Sequence, residues 1–112
     1  MKRYEMIKDK KHFNDIIRNG KYSKDKNFVI YHVNNEGRNP QFGIAIKNKI
    51  GNAVVRNRLK RQTRAIIDKN RKLFKFGQDY IIMIREGCLL NNFNAMDNSL
   101  IYLMKGKNNE EK

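Results

Sequence analysis

The residues best placed to do chemistry lie in one run, from Lys47 through Arg64, which reads Lys-Asn-Lys-Ile-Gly-Asn-Ala-Val-Val-Arg-Asn-Arg-Leu-Lys-Arg-Gln-Thr-Arg. A guanidinium can fork onto two phosphate oxygens, a lysine adds a point charge, and an asparagine amide reaches phosphate, sugar or a base edge. Wound at about 100° per residue, the stretch puts Val55, Leu59 and Ile66 in one narrow arc. Arg56, Asn57, Lys60, Arg61 and Arg64 fall on the opposite half. A helix holds such donors about 1.5 Å apart along its axis, so this side can lie along a phosphate backbone. Solvated cationic faces are common, but they are usually laced with acids at i,i+4 spacing, and no Asp or Glu interrupts Lys47–Arg64. The pattern points to a nucleic-acid surface.

Catalytic groups are harder to find. Metal-assisted phosphodiester cleavage needs clustered carboxylates, and metal-free cleavage needs paired histidines or a His–Lys–Glu set. His12 is expected on a helix and His32 on a strand, in unrelated contexts. Asp9, Asp15, Asp68, Asp79 and Glu86 are scattered and read as caps or surface residues. No catalytic residue is therefore expected in the protein itself. Cys88 is the only cysteine, which excludes an internal disulfide and a cysteine-based metal site. It is expected to be a small, buried, unreactive side chain.

Composition agrees with a polyanionic partner. The 112 residues carry 25 Lys and Arg against 11 Asp and Glu, a formal charge of +14. Such an excess opposes compaction unless a polyanion neutralises it. With 39% hydrophobic and 10% aromatic residues there is enough apolar material for one core. One domain is expected over residues 1–106, with the polar stretch 107–112 frayed. No run is long and apolar enough for a membrane span or a signal peptide, and no lipidation signal is seen. A membrane-surface role would need an open apolar helix face, and the basic helix needs its apolar arc for the core. The expected location is the cytoplasm.

The elements that would position the basic run follow from period and turn chemistry. Residues 10–18 form a helix with Phe13, Ile16 and Ile17 on one face. Asp9 is its cap, and Gly20 is expected to end it in the left-handed conformation. A strand over 27–33 alternates Phe28, Ile30 and His32 with Val29, Tyr31 and Val33. The turn-rich segment 34–40 is expected to close a hairpin onto a second strand, 41–47. There Phe42, Ile44 and Ile46 face the core, while Gly43, Ala45 and Lys47 leave a groove. The basic helix is expected over 53–73. A nearly continuous apolar run, 79–84, suits a strand covered on both faces, and a last helix spans 91–105. The fold class is α/β (α+β), a sandwich of helices on a small mixed sheet.

The passage Ile44-Ala45-Ile46, then Gly51-Asn52-Ala53-Val54-Val55 and Arg56-Asn57-Arg58-Leu59-Lys60-Arg61, resembles the signature of the ribonuclease P protein family. In that family Gly-Asn-Ala-Val and Arg-Asn-Arg introduce the RNR helix. Lys10-Lys11-His12-Phe13, Gly20, Asn27 through Tyr31, and Asp79-Tyr80-Ile81-Ile82 extend the likeness over nearly the whole chain. Ile17 stands where the family often has an aromatic residue. Ala45, Lys47 and Asn48 interrupt a stretch that usually contains Ser followed by paired lysines.

The resemblance implies a protein subunit of ribonuclease P. A catalytic RNA subunit, using Mg²⁺, removes the 5′ leader of precursor tRNA to generate the mature 5′ end. The protein would dock on that RNA through Lys49, Arg56, Asn57, Arg58, Lys60, Arg61 and Arg64. It would bind the leader in a cleft lined by Phe13, Ile17, Val29, Tyr31, Ala45 and Lys47. Neither a metal site nor a small-molecule substrate is implied for the protein. The family fold also implies a left-handed crossover through the RNR helix. The alternative is a basic ribosomal or other RNA-binding protein outside tRNA processing.

Overall fold

The structure, a computed structural model, describes residues 5–106; the stretch 107–112, expected to fray, lies outside the described residues. Three helices and four strands follow in the order α1 (Lys10–Asn19), β1 (Lys21–Lys24), β2 (Phe28–Asn34), β3 (Phe42–Ile46), α2 (Ala53–Lys69), β4 (Gln78–Ile84) and α3 (Phe93–Met104). The sheet order is β1-β2-β4-β3. β1 pairs antiparallel with β2, and β2 with β4, whereas β3 runs parallel to β4. This is the expected α+β class with a small mixed sheet.

β4 lies inside the sheet, between β2 and β3, because its residues can be buried on both sides. Tyr80, Ile81, Ile82 and Ile84 are all but inaccessible. On one face Phe28, Ile30, Phe42, Tyr80, Ile82 and Ile84 pack against Leu59, Ile66 and Ile67 of α2 and Met96, Leu100 and Leu103 of α3. Phe74 meets Phe42 and Tyr80 edge-on at 5.1 and 5.0 Å between centroids. The Tyr80 hydroxyl accepts from the Lys75 backbone N–H at 2.8 Å. Two helices are fixed to each other by Asp97, which receives the Lys69 ammonium and, at 2.7 Å, the Asn70 amide. Burial alone would raise the Asp97 carboxyl, but these donors outweigh it and hold the group below its ordinary value.

On the other face α1 covers only part of the sheet. A side chain at Gly43 would meet Phe13 at 2.6 Å and Ile81 at 3.2 Å, so Phe13 sits directly on the β3 backbone. Asp9 caps the helix as expected, accepting from Lys11 N at 3.0 Å. Asn52 and Asn92 do the same for α2 and α3, accepting from Val55 N and Ala95 N at 3.0 and 2.9 Å.

Three sequence expectations are corrected. β2 and β3 do not form a hairpin, since β4 lies between them. The turn formers of 34–40 instead fold a compact loop around the buried Asn35, whose side-chain Oδ1 accepts from Arg38 N at 2.9 Å. Gly20 is extended (φ −75°, ψ 157°), not left-handed. Glycine is needed there because a Cβ would stand 2.5 Å from the Ile16 carbonyl oxygen and 2.8 Å from that of His32. The basic helix ends at Lys69 rather than Leu73, closed by Asn70, whose side chain donates to Ile66 O at 2.9 Å; a 3₁₀ turn spans Arg71–Leu73.

Candidate nucleic-acid interface

Beside the C-terminal part of α1 the sheet face is open, and the gap is a cavity of about 550 Å³. Its floor carries Val29 and Tyr31 of β2 and Met83 of β4. Ile17 and Arg18 of α1 form one wall, and Tyr22 and Lys24 of β1 another. Lys47 and Lys49, just after β3, and Arg85, just after β4, complete a strongly cationic rim in which Glu86 is the acid. Alternation dictates the floor. Phe28 and Ile30 turn into the core, so Val29 and Tyr31 face the gap. An apolar and aromatic floor within a ring of cations suits a flexible single strand, whose bases stack while its phosphates meet the rim.

Of the residues expected to line the cleft, the structure brings together Ile17, Val29, Tyr31 and Lys47. Phe13 lies farther along α1, engaged with Gly43. Ala45 stands opposite Met83 by register on the same sheet face but is not part of the cavity wall. Lys49, grouped with the basic helix from sequence, belongs to the cavity rim. Arg18, Tyr22, Lys24 and Arg85 were not anticipated. For Tyr22 and Lys24 the missed signal was β1, whose four residues are too few for alternation to declare a strand.

The basic helix begins beside this rim. Asn57, Arg58 and Arg61 are exposed, while Arg56, Lys60 and Arg64 are half-buried. Arg58 and Arg61 bond to no other side chain or backbone group among the described residues, which leaves their donors to solvent. Arg56 differs, because its guanidinium donates to the carbonyls of Gly51 and Asn48 and straps the loop before the helix to its first turn. Thr63 is buried on the inward side, donating to Leu59 O at 2.8 Å. The cationic face and the core-facing arc are thus separated as the periodicity requires.

Among the acids, Asp79 departs from expectation. It is neither a cap nor a surface residue but is wholly inaccessible. Its Oδ1 accepts from Asn35 Nδ2 at 2.8 Å and from Gln41 N at 3.0 Å. Its Oδ2 lies 2.9 Å from Nε2 of His12, which donates to it. A buried carboxylate needs such partners, and here they pin α1 and the loop 34–41 to the start of β4. This cluster lies at the end of the sheet remote from the cavity.

Cys88 is buried, its thiol 3.2 Å from Asn27 O, and burial pushes its pKa up to about 12. No group of three or more His, Cys, Asp or Glu side chains is disposed to share a metal ion among the described residues. No helix among them is long and apolar enough to cross a membrane.

Comparison with known proteins yields a consistent set of relatives. The family model described as Ribonuclease P matches residues 1–108. The ribonuclease P protein component of Bacillus cereus (strain B4264) is 34% identical over 106 residues, covering 94% of this chain and 92% of the relative. That of Bacillus anthracis (strain CDC 684 / NRRL 3495) is also 34% identical, covering 94% and 89%. Among solved structures, a Staphylococcus aureus RNase P protein mutant with defective mRNA degradation activity superposes with a TM-score of 0.85 at 27% identity, over 96% of this chain and 91% of that one. The RNase P protein from Thermotoga maritima superposes with a TM-score of 0.80 at 28% identity, over 90% and 96%.

Proposed function

The chain belongs to the ribonuclease P protein family, and we propose from that premise that it binds two RNAs on adjoining surfaces. The exposed face of α2, with Asn57, Arg58, Arg61 and the flanking Lys60 and Arg64, takes the catalytic RNA subunit. The cavity floored by Val29 and Tyr31 takes the unpaired 5′ leader of precursor tRNA. Lys47 and Lys49 stand between the two, so the leader is held next to the RNA that cuts it.

The observation that carries this reading is the uncovered sheet face, where an aromatic side chain and apolar neighbours lie within a ring of cations. Such a face binds a single strand with little preference for base identity. Hydrolysis of the phosphodiester belongs to the RNA subunit and its Mg²⁺. The donor set supports that division, because Asp9, Asp15, Asp68, Asp79 and Glu86 do not converge, and Asp79 is committed to structural hydrogen bonds. The residues of this chain bind and orient substrate without acting on the reacting atoms. Arg56 is a positioning residue in the same scheme, since it fixes the loop that carries Lys49.

The test is Tyr31→Ala in the reconstituted holoenzyme. Affinity for precursor tRNA should fall at least about five-fold, the lower end for one base stacked on an aromatic ring. Affinity for mature tRNA should not change. Equal losses for both would refute a leader site at Tyr31.

A further inference from the structure

β1 contributes more to the cavity than an edge. Ser23 points into the core, where its hydroxyl donates to Leu103 O at 3.3 Å. Its neighbours Tyr22 and Lys24 must therefore project to the opposite face, the one that floors the cavity. The register sets Tyr22 directly opposite Tyr31, with Lys24 opposite Val29. The two tyrosine rings lie 5.8 Å apart at 46°, side by side and tilted rather than closed face to face. Lys24 Nζ lies 5.9 Å from the Tyr22 ring centroid. Neither tyrosine is fully buried. β1 is also the terminal strand, so no further strand closes the cavity beyond it.

We propose that Tyr22, with Lys24, forms a second stacking position for single-stranded RNA beside Tyr31, so that successive unpaired nucleotides of the leader are held on neighbouring strands. This rests on the leader reading given above. An extended single strand crossing from β2 toward β1 meets Tyr31 and then Tyr22, with Lys24 placed to neutralise a phosphate there. Because a π-face stacks on any base, the position adds affinity and sets how long a leader the protein senses, without reading sequence. A cross-strand tyrosine pair can also serve the sheet alone, and the experiment must separate these roles.

The experiment measures binding of the reconstituted holoenzyme to precursor tRNAs whose leaders are shortened one nucleotide at a time. Tyr22→Ala and Tyr31→Ala should each weaken binding of long leaders about five-fold or more. The two effects should disappear at leader lengths that differ by one or two nucleotides. Tyr22→Phe should recover most of the loss, because it keeps the ring. If Tyr22→Ala does not fold, Tyr22→Leu replaces it, keeping apolar bulk without a π-face. A Tyr22 effect that is absent, or the same for every leader including none, overturns the proposal while Tyr31 remains leader-dependent. If Tyr31→Ala and Lys47→Ala are also indifferent to leader length, the leader site itself is overturned, and this proposal with it.

Discussion

Replacing Arg58 and Arg61 together by glutamine separates binding from folding. Both side chains are exposed and bond to nothing else among the described residues. Their removal should change stability by no more than about 0.5 kcal/mol, the usual range for surface positions. If each meets one RNA phosphate, each contributes about 0.7 to 0.9 to the slope of log affinity against log salt. The double variant should therefore lose roughly 1.4 to 1.8 units of slope. If this contribution vanishes near 1 M salt, the loss at 0.15 M is about 15- to 30-fold. The assay is filter or fluorescence binding to the ribonuclease P RNA at several salt concentrations, with a denaturation curve for each protein. Arg56→Gln is the internal contrast, because it cuts the strap to Gly51 and Asn48 and should lower stability as well. Parallel salt slopes for the parent and the double variant would refute the assignment of this helix face to RNA phosphates.

Other consequences follow from packing and burial. Gly43→Ala should cost about 1–3 kcal/mol by overpacking, since its methyl would stand 2.6 Å from Phe13. Phe13→Leu in the same chain should recover part of that in urea unfolding, and no loss would contradict the packing. Asp79→Ala removes the buried acceptor of His12, Asn35 and Gln41 N and should cost about 2–4 kcal/mol. A midpoint unchanged in denaturant would count against its structural role. The Cys88 thiol, pushed up to about 12, should resist alkylation at pH 8 in the native protein. Only the thiolate reacts, so native labelling should stay slow even as pH rises through 9 or 10, and it should become prompt once unfolding removes the burial.

The sequence was most legible where one physical requirement dominated. Asp79 to Ile84 reads as a strand covered on both sides, and β4 is one of the two interior strands. The separation of Leu59 and Ile66 from Asn57 and Arg61 follows from a period of 3.6, and α2 keeps it. Alternation in β2 places Val29 and Tyr31 opposite Phe28 and Ile30, as observed. What failed depended on partners distant in the chain. The segment 34–40 has the composition of a hairpin turn, yet β4 binds both β2 and β3 and its own burial decides the pairing. Lys21–Lys24 is too short to show a period, so β1 and the cavity wall it supplies were invisible. Asp79 begins an apolar run and looked like an exposed cap. Only the fold brings His12, Asn35 and Gln41 around it, from 67, 44 and 38 residues away.

The most direct test of the whole account is reconstitution. The protein is added to a cognate bacterial ribonuclease P RNA at low Mg²⁺, and 5′ processing of precursor tRNA is followed. The account predicts cleavage at the mature 5′ end by the mixture, with neither component active alone under those conditions. A folded protein that neither binds this RNA nor restores cleavage would contradict it, leaving a basic RNA-binding domain that serves another assembly.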